Sequence, residues 1–246
     1  MSELAGRIAL VTGAAGPMGL AAARALVEAG CAVALVDLPG ERLEQAASAF
    51  ARATSFAVDL TALDELPALV ETIQRKLGAV DILVNNAGVL SNAKSQATDE
   101  VEWRRVLSIN LDAAFFLARA VIPSMTDRRW GRIINTTSLA AKTGGLTAGT
   151  SYAVSKGAMS ALTFSLAREL AAFGVTVNGI APAYVRTPMV TEQLTESQRQ
   201  ALLATIPVGR FCEPEEFAHA VRFLASPLAG FITGEIVDVN GGLLMD

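Results

Sequence analysis

A tyrosine and a lysine four residues apart are the side chains in this sequence best suited to proton transfer. Tyr152 and Lys156 begin a long segment, 151–173, in which apolar residues recur at helical spacing. In an α-helix this spacing puts the phenol and the ammonium on one face, about 6 Å apart along the axis. Ser138 adds a hydroxyl upstream, at the end of a predicted strand. The three residues together predict an acid–base site.

The elements before this site predict a nucleotide-binding unit. Residues 7–11 form a predicted buried strand, followed by a glycine-rich turn, a helix over 17–29 and a second strand over 32–36. Gly13 and Gly19 allow the backbone to approach a pyrophosphate, which the amides of the helix N-terminus can bind. Asp37 ends the second strand, 24 residues after Gly13. Its carboxylate can accept hydrogen bonds from ribose hydroxyls and would repel a 2′-phosphate, so NAD is favoured over NADP.

Polar side chains also end the following predicted strands. Asp59 comes after 54–58, Asn86 after 81–84 and Ser138 at the end of 131–138. Two more strands are predicted over 175–180 and 235–239. Since ligands bind at the carboxyl edge of a parallel sheet, we expect these residues at one site. Asn110 lies in an apolar helix predicted from 98 to 125, so it must find polar partners or take part in the site.

Composition excludes several classes of function. The net charge of −4, without a basic cluster beyond Arg128–Arg129, argues against a nucleic-acid partner. The longest uncharged stretch, 8–23, contains three glycines and a proline, and the N-terminus lacks signal-peptide features, so we expect a cytoplasmic protein without a membrane span. Two cysteines and His219 alone cannot form the usual zinc sites. With 52% hydrophobic and only 18% charged residues, we expect a partner subunit to cover some surface.

Five motifs in order resemble the short-chain dehydrogenase/reductase family: Thr12-Gly13 with Gly19, Asn86-Ala87-Gly88, Asn110, Ser138, and Tyr152 with Lys156. The resemblance implies one α/β domain over 1–246, a Rossmann-type doubly wound parallel sheet. Its seven strands would run in the order 3-2-1-4-5-6-7, with helices on both faces. It also implies a nicotinamide cofactor, no metal, and a homotetramer or homodimer.

The same resemblance implies a role for each residue. Tyr152 would be the general acid/base, Lys156 would lower its pKa and hold the nicotinamide ribose, Ser138 would orient the substrate oxygen, and Asn110 would anchor a water. Burial raises a phenol pKa, but a cation at about 4 Å can outweigh it. Residues implied in cofactor binding are Gly13, Met18, Gly19, Asp37, Asp59, Leu60, Asn86, Ala87, Gly88, Tyr152, Lys156, Pro182, Val185 and Thr187.

Three positions depart from the family pattern. Pro17 stands where the middle glycine of the turn is usual, which removes one amide donor. Proline is well tolerated in a first helical turn, so we expect cofactor binding to persist. Ala183 replaces the glycine that commonly follows Pro182, and Asn240 stands where aspartate is frequent.

The sequence leaves the substrate open. Residues 182–205 form a candidate substrate loop or lid, and the candidate substrate residues are Ser138, Lys142, Tyr152, Tyr184 and Arg186. Lys142 and Arg186 either bind an anionic group or face water. The first hypothesis is NAD-dependent interconversion of a secondary alcohol and a ketone, with sugars, polyols and hydroxy acids as candidate substrates.

Two further hypotheses stay open. The alternative is a 3-oxoacyl thioester reductase, in which Arg128 and Arg129 either dock an acidic carrier protein or, as the preferred interpretation, form a solvated helix end. Asp37 argues against it, because those reductases mostly resemble NADP users. A catalytically silent NAD-binding regulator is the third hypothesis, disfavoured because all four catalytic residue types are present.

Overall fold

Seven parallel strands form one sheet in the order β3-β2-β1-β4-β5-β6-β7. The computed structural model describes residues 3–187 and 195–245. The strands are β1 (Ile8–Thr12), β2 (Ala32–Asp37), β3 (Ala53–Ala57), β4 (Ile82–Asn85), β5 (Gly131–Thr136), β6 (Val175–Pro182) and β7 (Ile236–Val239). The predicted single-domain fold and strand order are confirmed, with strand boundaries shifted by one or two residues.

Helices cover both faces of the sheet. The helices in the described ranges are α1 (Pro17–Glu28), α2 (Glu41–Ser48), α3 (Leu66–Leu77), α4 (Glu100–Leu107), α5 (Ala113–Asp127), α6 (Leu139–Thr143), α7 (Thr150–Leu170), α8 (Glu196–Leu203) and α9 (Pro214–Ala225). On one face Leu26 of α1 and Phe217 of α9 are fully buried in one apolar cluster. On the other, Ile73, Leu117 and Leu166 bring α3, α5 and α7 into a second cluster. Strands covered on both faces read as continuous apolar runs, which is why the sequence shows them so clearly.

The strand order reverses between β1 and β4, and this reversal positions the site. β1 pairs with β2 on one side and with β4 on the other. Loops that leave β1 and β4 therefore diverge above the sheet and open a crevice at its carboxyl edge. The glycine turn after β1, Asn86 after β4 and Ser138 after β5 all lie at that edge.

A long helical stretch, Glu100–Asp127, carries Asn110. Asp99 caps its start by accepting a hydrogen bond from the Glu102 amide at 2.8 Å, as the predicted start at 98–100 requires. A π-helical turn, Ser108–Asp112, separates α4 from α5. By length and composition alone this 28-residue stretch could cross a membrane. Leu117 and Val121 are nevertheless fully buried in the core, where they pack beside the sheet.

The predicted loop or lid, 182–205, is only partly described. β6 extends to Pro182, and α8 occupies Glu196–Leu203. Residues 188–194 lie outside the described ranges. Thr187 and α8 both line the cavity described below.

Candidate active site

The turn after β1 and the turn after β4 are joined by hydrogen bonds between Thr12 and residues 86–87. The Thr12 hydroxyl accepts hydrogen bonds from the amides of Asn86 and Ala87, each at 3.0 Å. In return, Asn86 Nδ2 donates to the Thr12 carbonyl oxygen at 2.9 Å. Gly13 has φ +64°, and a Cβ there would lie 2.9 Å from the Ala87 Cα. The two turns are thus locked together, and the glycine is required for both conformation and contact.

The N-terminus of α1 opens toward this turn. Gly16 is the cap residue and provides no side-chain hydrogen bond, while the Leu20 amide makes the first helical bond, to the Gly16 carbonyl at 2.9 Å. The amides of Met18 and Gly19 lie in the first turn, before that bond, and form part of the positive end of the helix dipole. Pro17 takes the first helical position, where its missing N–H costs no helical hydrogen bond. The arrangement fits a pyrophosphate group.

Asp37 is fixed by two backbone amides at the end of β2. Its Oδ2 accepts from the Ala15 amide and its Oδ1 from the Leu38 amide, both at 2.8 Å. Each carboxylate oxygen has a second lone pair available to a ligand hydroxyl. Asp59, after β3, accepts hydrogen bonds from the Thr61 amide and hydroxyl, which lower its pKa. Both carboxylates line one cavity.

That cavity has a volume of about 1440 Å³ and runs along the carboxyl edge of the sheet. It exceeds the usual range of small-molecule pockets, about 300–1,000 Å³, and so has room for a dinucleotide and a second molecule. The structure brings together on its wall the predicted residues Gly13, Met18, Gly19, Asp37, Asp59, Leu60, Asn86, Ala87, Gly88, Ser138, Tyr152, Lys156, Pro182, Tyr184, Val185 and Thr187.

Asn110 lies behind the wall and is fully buried. Its Oδ1 accepts from the Val89 amide at 2.8 Å, and its Nδ2 donates to the Val89 carbonyl and the Ser155 hydroxyl, each at 3.0 Å. A Cβ on Gly88 would lie 3.2 Å from Asn110 Oδ1 and 3.4 Å from Lys156 Nζ. Gly88 therefore allows the asparagine and the lysine to approach the same point. The predicted need of Asn110 for polar partners is confirmed.

Lys156 is almost fully enclosed beside Tyr152. Its Nζ donates to the Thr136 carbonyl oxygen at 2.7 Å and lies 5.9 Å from the centre of the Tyr152 ring. Burial lowers the pKa of Lys156 to about 8. Ser138 caps α6, and its hydroxyl accepts from the Ala140 amide at 3.1 Å.

The phenol of Tyr152 responds mainly to burial. Burial raises the pKa of Tyr152, and the neighbouring Ser138 hydroxyl lowers it by a smaller amount. The expected net lowering of the Tyr152 pKa by Lys156 is not found. The helical spacing predicts that the two groups lie close together. It does not predict their burial, which disfavours the charged form of both side chains. Tyr152 is thus a protonated phenol at neutral pH.

Lys142 and Arg186 do not reach the cavity wall, contrary to their placement among the candidate substrate residues. Lys142 Nζ lies 2.5 Å from Asp238 Oδ2 of β7. Arg186 Nε lies 2.8 Å from Glu213 Oε1. Carboxylates distant in the sequence neutralise both cations, so the structure does not support their role as ligands of an anionic substrate.

Several residues that contact the site carry no strong sequence signal. The Thr136 carbonyl and the Ser155 hydroxyl hold Lys156 and Asn110, but neither residue type is distinctive at its position. Gln198 and Leu202 of α8 line the cavity. Here a signal exists, because Thr195 and Gln198 form a capping box, whose three-residue spacing marks a helix start.

Comparison with known proteins agrees with this geometry. A family model described as enoyl-(acyl carrier protein) reductase matches residues 13–244. The chain is 42% identical to nodulation protein G of Rhizobium sp. (strain N33), over 100% of both chains. It is 40% identical to the 3-oxoacyl-(acyl-carrier-protein) reductase FabG of Vibrio harveyi, over 99% of both, and 35% identical to FabG of Thermotoga maritima, over 99% of this chain and 100% of that one. The chain is therefore an oxidoreductase of the short-chain dehydrogenase/reductase family, which uses a nicotinamide dinucleotide.

Proposed function

We propose that this protein reduces the ketone of a 3-oxoacyl thioester to a secondary alcohol, with NADH as the cofactor. The observation that carries the substrate class is that Lys156 is the only charged side chain among the described residues that line the substrate half of the cavity. The names of the FabG relatives support the same class. The substrate class is therefore that of the alternative hypothesis, a 3-oxoacyl thioester, and the cofactor is that of the first hypothesis, NAD(H).

The charged side chains on the cavity wall divide by position. Within residues 3–187 and 195–245 they are Asp37, Glu41, Arg42, Asp59 and Lys156. Asp37 ends β2, Glu41 and Arg42 follow it, and Asp59 follows β3, so these four belong to the nucleotide half. Apart from Lys156, the described residues of the substrate half have neutral side chains, among them Leu90 after β4, Leu139, Ala140, Leu146 and Ala148 after β5, and Leu202 of α8. The Lys156 ammonium is bound to the Thr136 carbonyl oxygen beside Tyr152, so a carboxylate elsewhere in this half would meet no opposite charge among the described residues. Burial of an acyl chain, in contrast, is favourable by about 25 cal/mol per Å².

The acid–base residues suit reduction of a ketone. Because burial keeps Tyr152 protonated, its phenol can donate a proton to the carbonyl oxygen as that oxygen gains negative charge. The Ser138 hydroxyl lies beside Tyr152 and can donate a hydrogen bond to the same oxygen. Lys156, charged below about pH 8, stabilises the phenolate that remains after the transfer. The nicotinamide, when bound, supplies the hydride.

Asp37 supports NADH rather than NADPH. Its carboxylate, held by the amides of Ala15 and Leu38, can accept from the adenosine ribose hydroxyls. A 2′-phosphate would instead meet a fixed negative charge. Asp37 also favours a second candidate, NAD-dependent oxidation of a small secondary alcohol, because the thioester reductases that the sequence resembles are mostly NADP users.

The arginine pair proposed for carrier-protein docking lies away from the cavity. Arg128 forms an ion pair with Asp81 and donates to the Val80 carbonyl at 2.8 Å. Arg129 donates to the Ala172 carbonyl at 2.8 Å. Both arginines precede β5 and so lie at the amino edge of the sheet, opposite the active site. A soluble thioester is therefore the appropriate first substrate.

The test compares substrates and cofactors in one assay. Oxidation of NADH and NADPH is followed with acetoacetyl coenzyme A, and reduction of NAD with a panel of sugars, polyols, hydroxy acids and cyclic alcohols. We expect turnover of the thioester with NADH as the better cofactor. Efficient oxidation of a panel alcohol without thioester reduction would establish the second candidate instead.

A further inference from the structure

The wall of the substrate half includes a loop that has little structure of its own. This loop, residues 144–149, joins α6 to α7, and Leu146, Thr147 and Ala148 face the cavity. Gly144 and Gly145 both have positive φ, +73° and +78°. Leu146 is 69% exposed, and the small Ala148 is the one apolar side chain of the loop that is buried. Contacts from outside must set its shape.

A second segment, Ser91–Lys94, supplies those contacts. The Gly149 amide donates to the Ser91 carbonyl at 2.7 Å, and the Thr150 amide donates to the Ala93 carbonyl at 3.0 Å. These backbone bonds hold the point where the loop enters α7. A Cβ on Gly149 would lie 2.3 Å from the Ala93 carbonyl oxygen, so the two segments are in direct contact.

Lys94 holds the middle of the loop separately. Its Nζ donates to the Gly145 carbonyl at 2.9 Å and to the Ala148 carbonyl at 2.6 Å. One ammonium thereby ties together two carbonyls three residues apart, on either side of Leu146 and Thr147. Hydrogen bonds from a charged donor are stronger than neutral ones.

The backbone of Lys94 is itself fixed. Its carbonyl oxygen accepts from the Ala97 amide at 2.9 Å and from the Thr98 hydroxyl at 3.0 Å, in a short helical turn, Ser95–Ala97. The lysine is not among the residues that line the cavity. It therefore acts on the substrate through the residues that it holds in place and not by direct contact.

We infer that Lys94 is a positioning residue that sets the width of the substrate pocket by bracing the 144–149 loop. The inference rests on the proposed function for the identity of the substrate. The contact between Lys94 and the loop does not depend on that function. Because the bonds of Gly149 and Thr150 hold the start of α7 independently, loss of Lys94 leaves Tyr152 in place. The effect falls on substrate binding and not on the chemical step.

The kinetic test compares three variants. Lys94→Met keeps the length of the side chain and removes the ammonium, Lys94→Arg restores charged donors, and Lys76→Met makes the same change on α3 as a control. For Lys94→Met we expect the KM for acetoacetyl coenzyme A to rise about tenfold, as for the loss of one net hydrogen bond. The kcat and the KM for NADH should stay within about twofold in every variant, and Lys94→Arg should recover most of the substrate KM. An unchanged substrate KM, or an equal effect on the KM for NADH, overturns the inference.

A second measurement is independent of the substrate. Hydrogen exchange of the amides of residues 144–148 should accelerate in Lys94→Met and not in Lys76→Met. If the wild-type protein does not turn over acetoacetyl coenzyme A, the proposed substrate class fails, and the kinetic comparison uses the alcohol that the panel identifies. Unchanged exchange in Lys94→Met overturns the brace, whatever the substrate proves to be.

Discussion

Replacement of Asp37 by alanine should reverse the choice between the two nicotinamide cofactors. The carboxylate sits between the amides of Ala15 and Leu38, each 2.8 Å from one of its oxygens. Its loss removes an acceptor for the ribose hydroxyls, which costs about 1.5–3 kcal/mol for a charged partner. It also removes the repulsion of a 2′-phosphate and frees the two amides to donate to that phosphate.

The expected change in cofactor preference is the sum of an electrostatic contribution and a hydrogen-bonding contribution. A unit charge about 6 Å from a phosphate contributes about 0.7–2.8 kcal/mol at effective dielectrics of about 80 to 20. Because Asp37 is only partly buried, we take about 1 kcal/mol from this range. With about 2 kcal/mol for the lost hydrogen bonds, the sum of about 3 kcal/mol corresponds to about a 100-fold change in preference.

The assay is the ratio of kcat/KM for NADH to kcat/KM for NADPH, measured with one substrate. This ratio should fall about 100-fold in Asp37→Ala and stay unchanged in Asp64→Ala, which removes an exposed carboxylate just before α3. A ratio that changes less than about threefold in Asp37→Ala would refute the reasoning, as would a wild-type preference for NADPH.

Three further predictions concern the lysine, the glycine turn and the surface. Since burial lowers the Lys156 pKa to about 8, kcat/KM for ketone reduction should fall as pH rises through 8. In Lys156→Arg this fall should occur at a higher pH, and a pH profile identical to that of the wild type would contradict the prediction. Gly19→Ala should lower the melting temperature and weaken NADH binding in a fluorescence titration, because its Cβ would lie 2.2 Å from the Gly13 carbonyl oxygen. Its control is Gly157→Ala, whose Cβ meets nothing within 4 Å and should not destabilise the helix. Because Phe164 and Phe231 are 51% and 103% exposed, we expect light scattering to give the mass of two or four chains, and a monomer would contradict this.

The backbone of the site was predictable because it depends on local patterns. Apolar runs ending in Asp37, Asn86 or Ser138 place polar groups at the ends of buried strands, and parallel pairing then brings those ends to one edge. Asn110, a polar residue within an apolar run, correctly indicated a buried hydrogen-bonding centre. Its π-helical turn was not predictable, because the contacts with Val89 and Ser155 that accompany the turn come from other elements.

The hydrogen-bond and ion-pair partners of side chains, and the burial of side chains, could not be predicted from the sequence. The carboxylate that pairs with Lys142 lies 96 residues away, and the one that pairs with Arg186 lies 27 residues away. Nothing local distinguishes these cations from ligands of a substrate. Lys94 shows the opposite case, because a lysine in a polar segment is ordinarily solvated and its two carbonyl partners appear only in the fold. Burial likewise decides the direction of the Tyr152 pKa shift.

The most direct test of the proposed chemistry is turnover in Tyr152→Phe, measured together with NADH affinity. This change removes only the phenolic oxygen and leaves the ring that packs beside Lys156. Loss of a general acid should lower kcat for acetoacetyl coenzyme A by about 1,000-fold. The dissociation constant of NADH should stay within about twofold of wild type, since Asp37 and the glycine turn are untouched. A variant that keeps more than about a tenth of the wild-type kcat would contradict the assignment of Tyr152 as the proton donor.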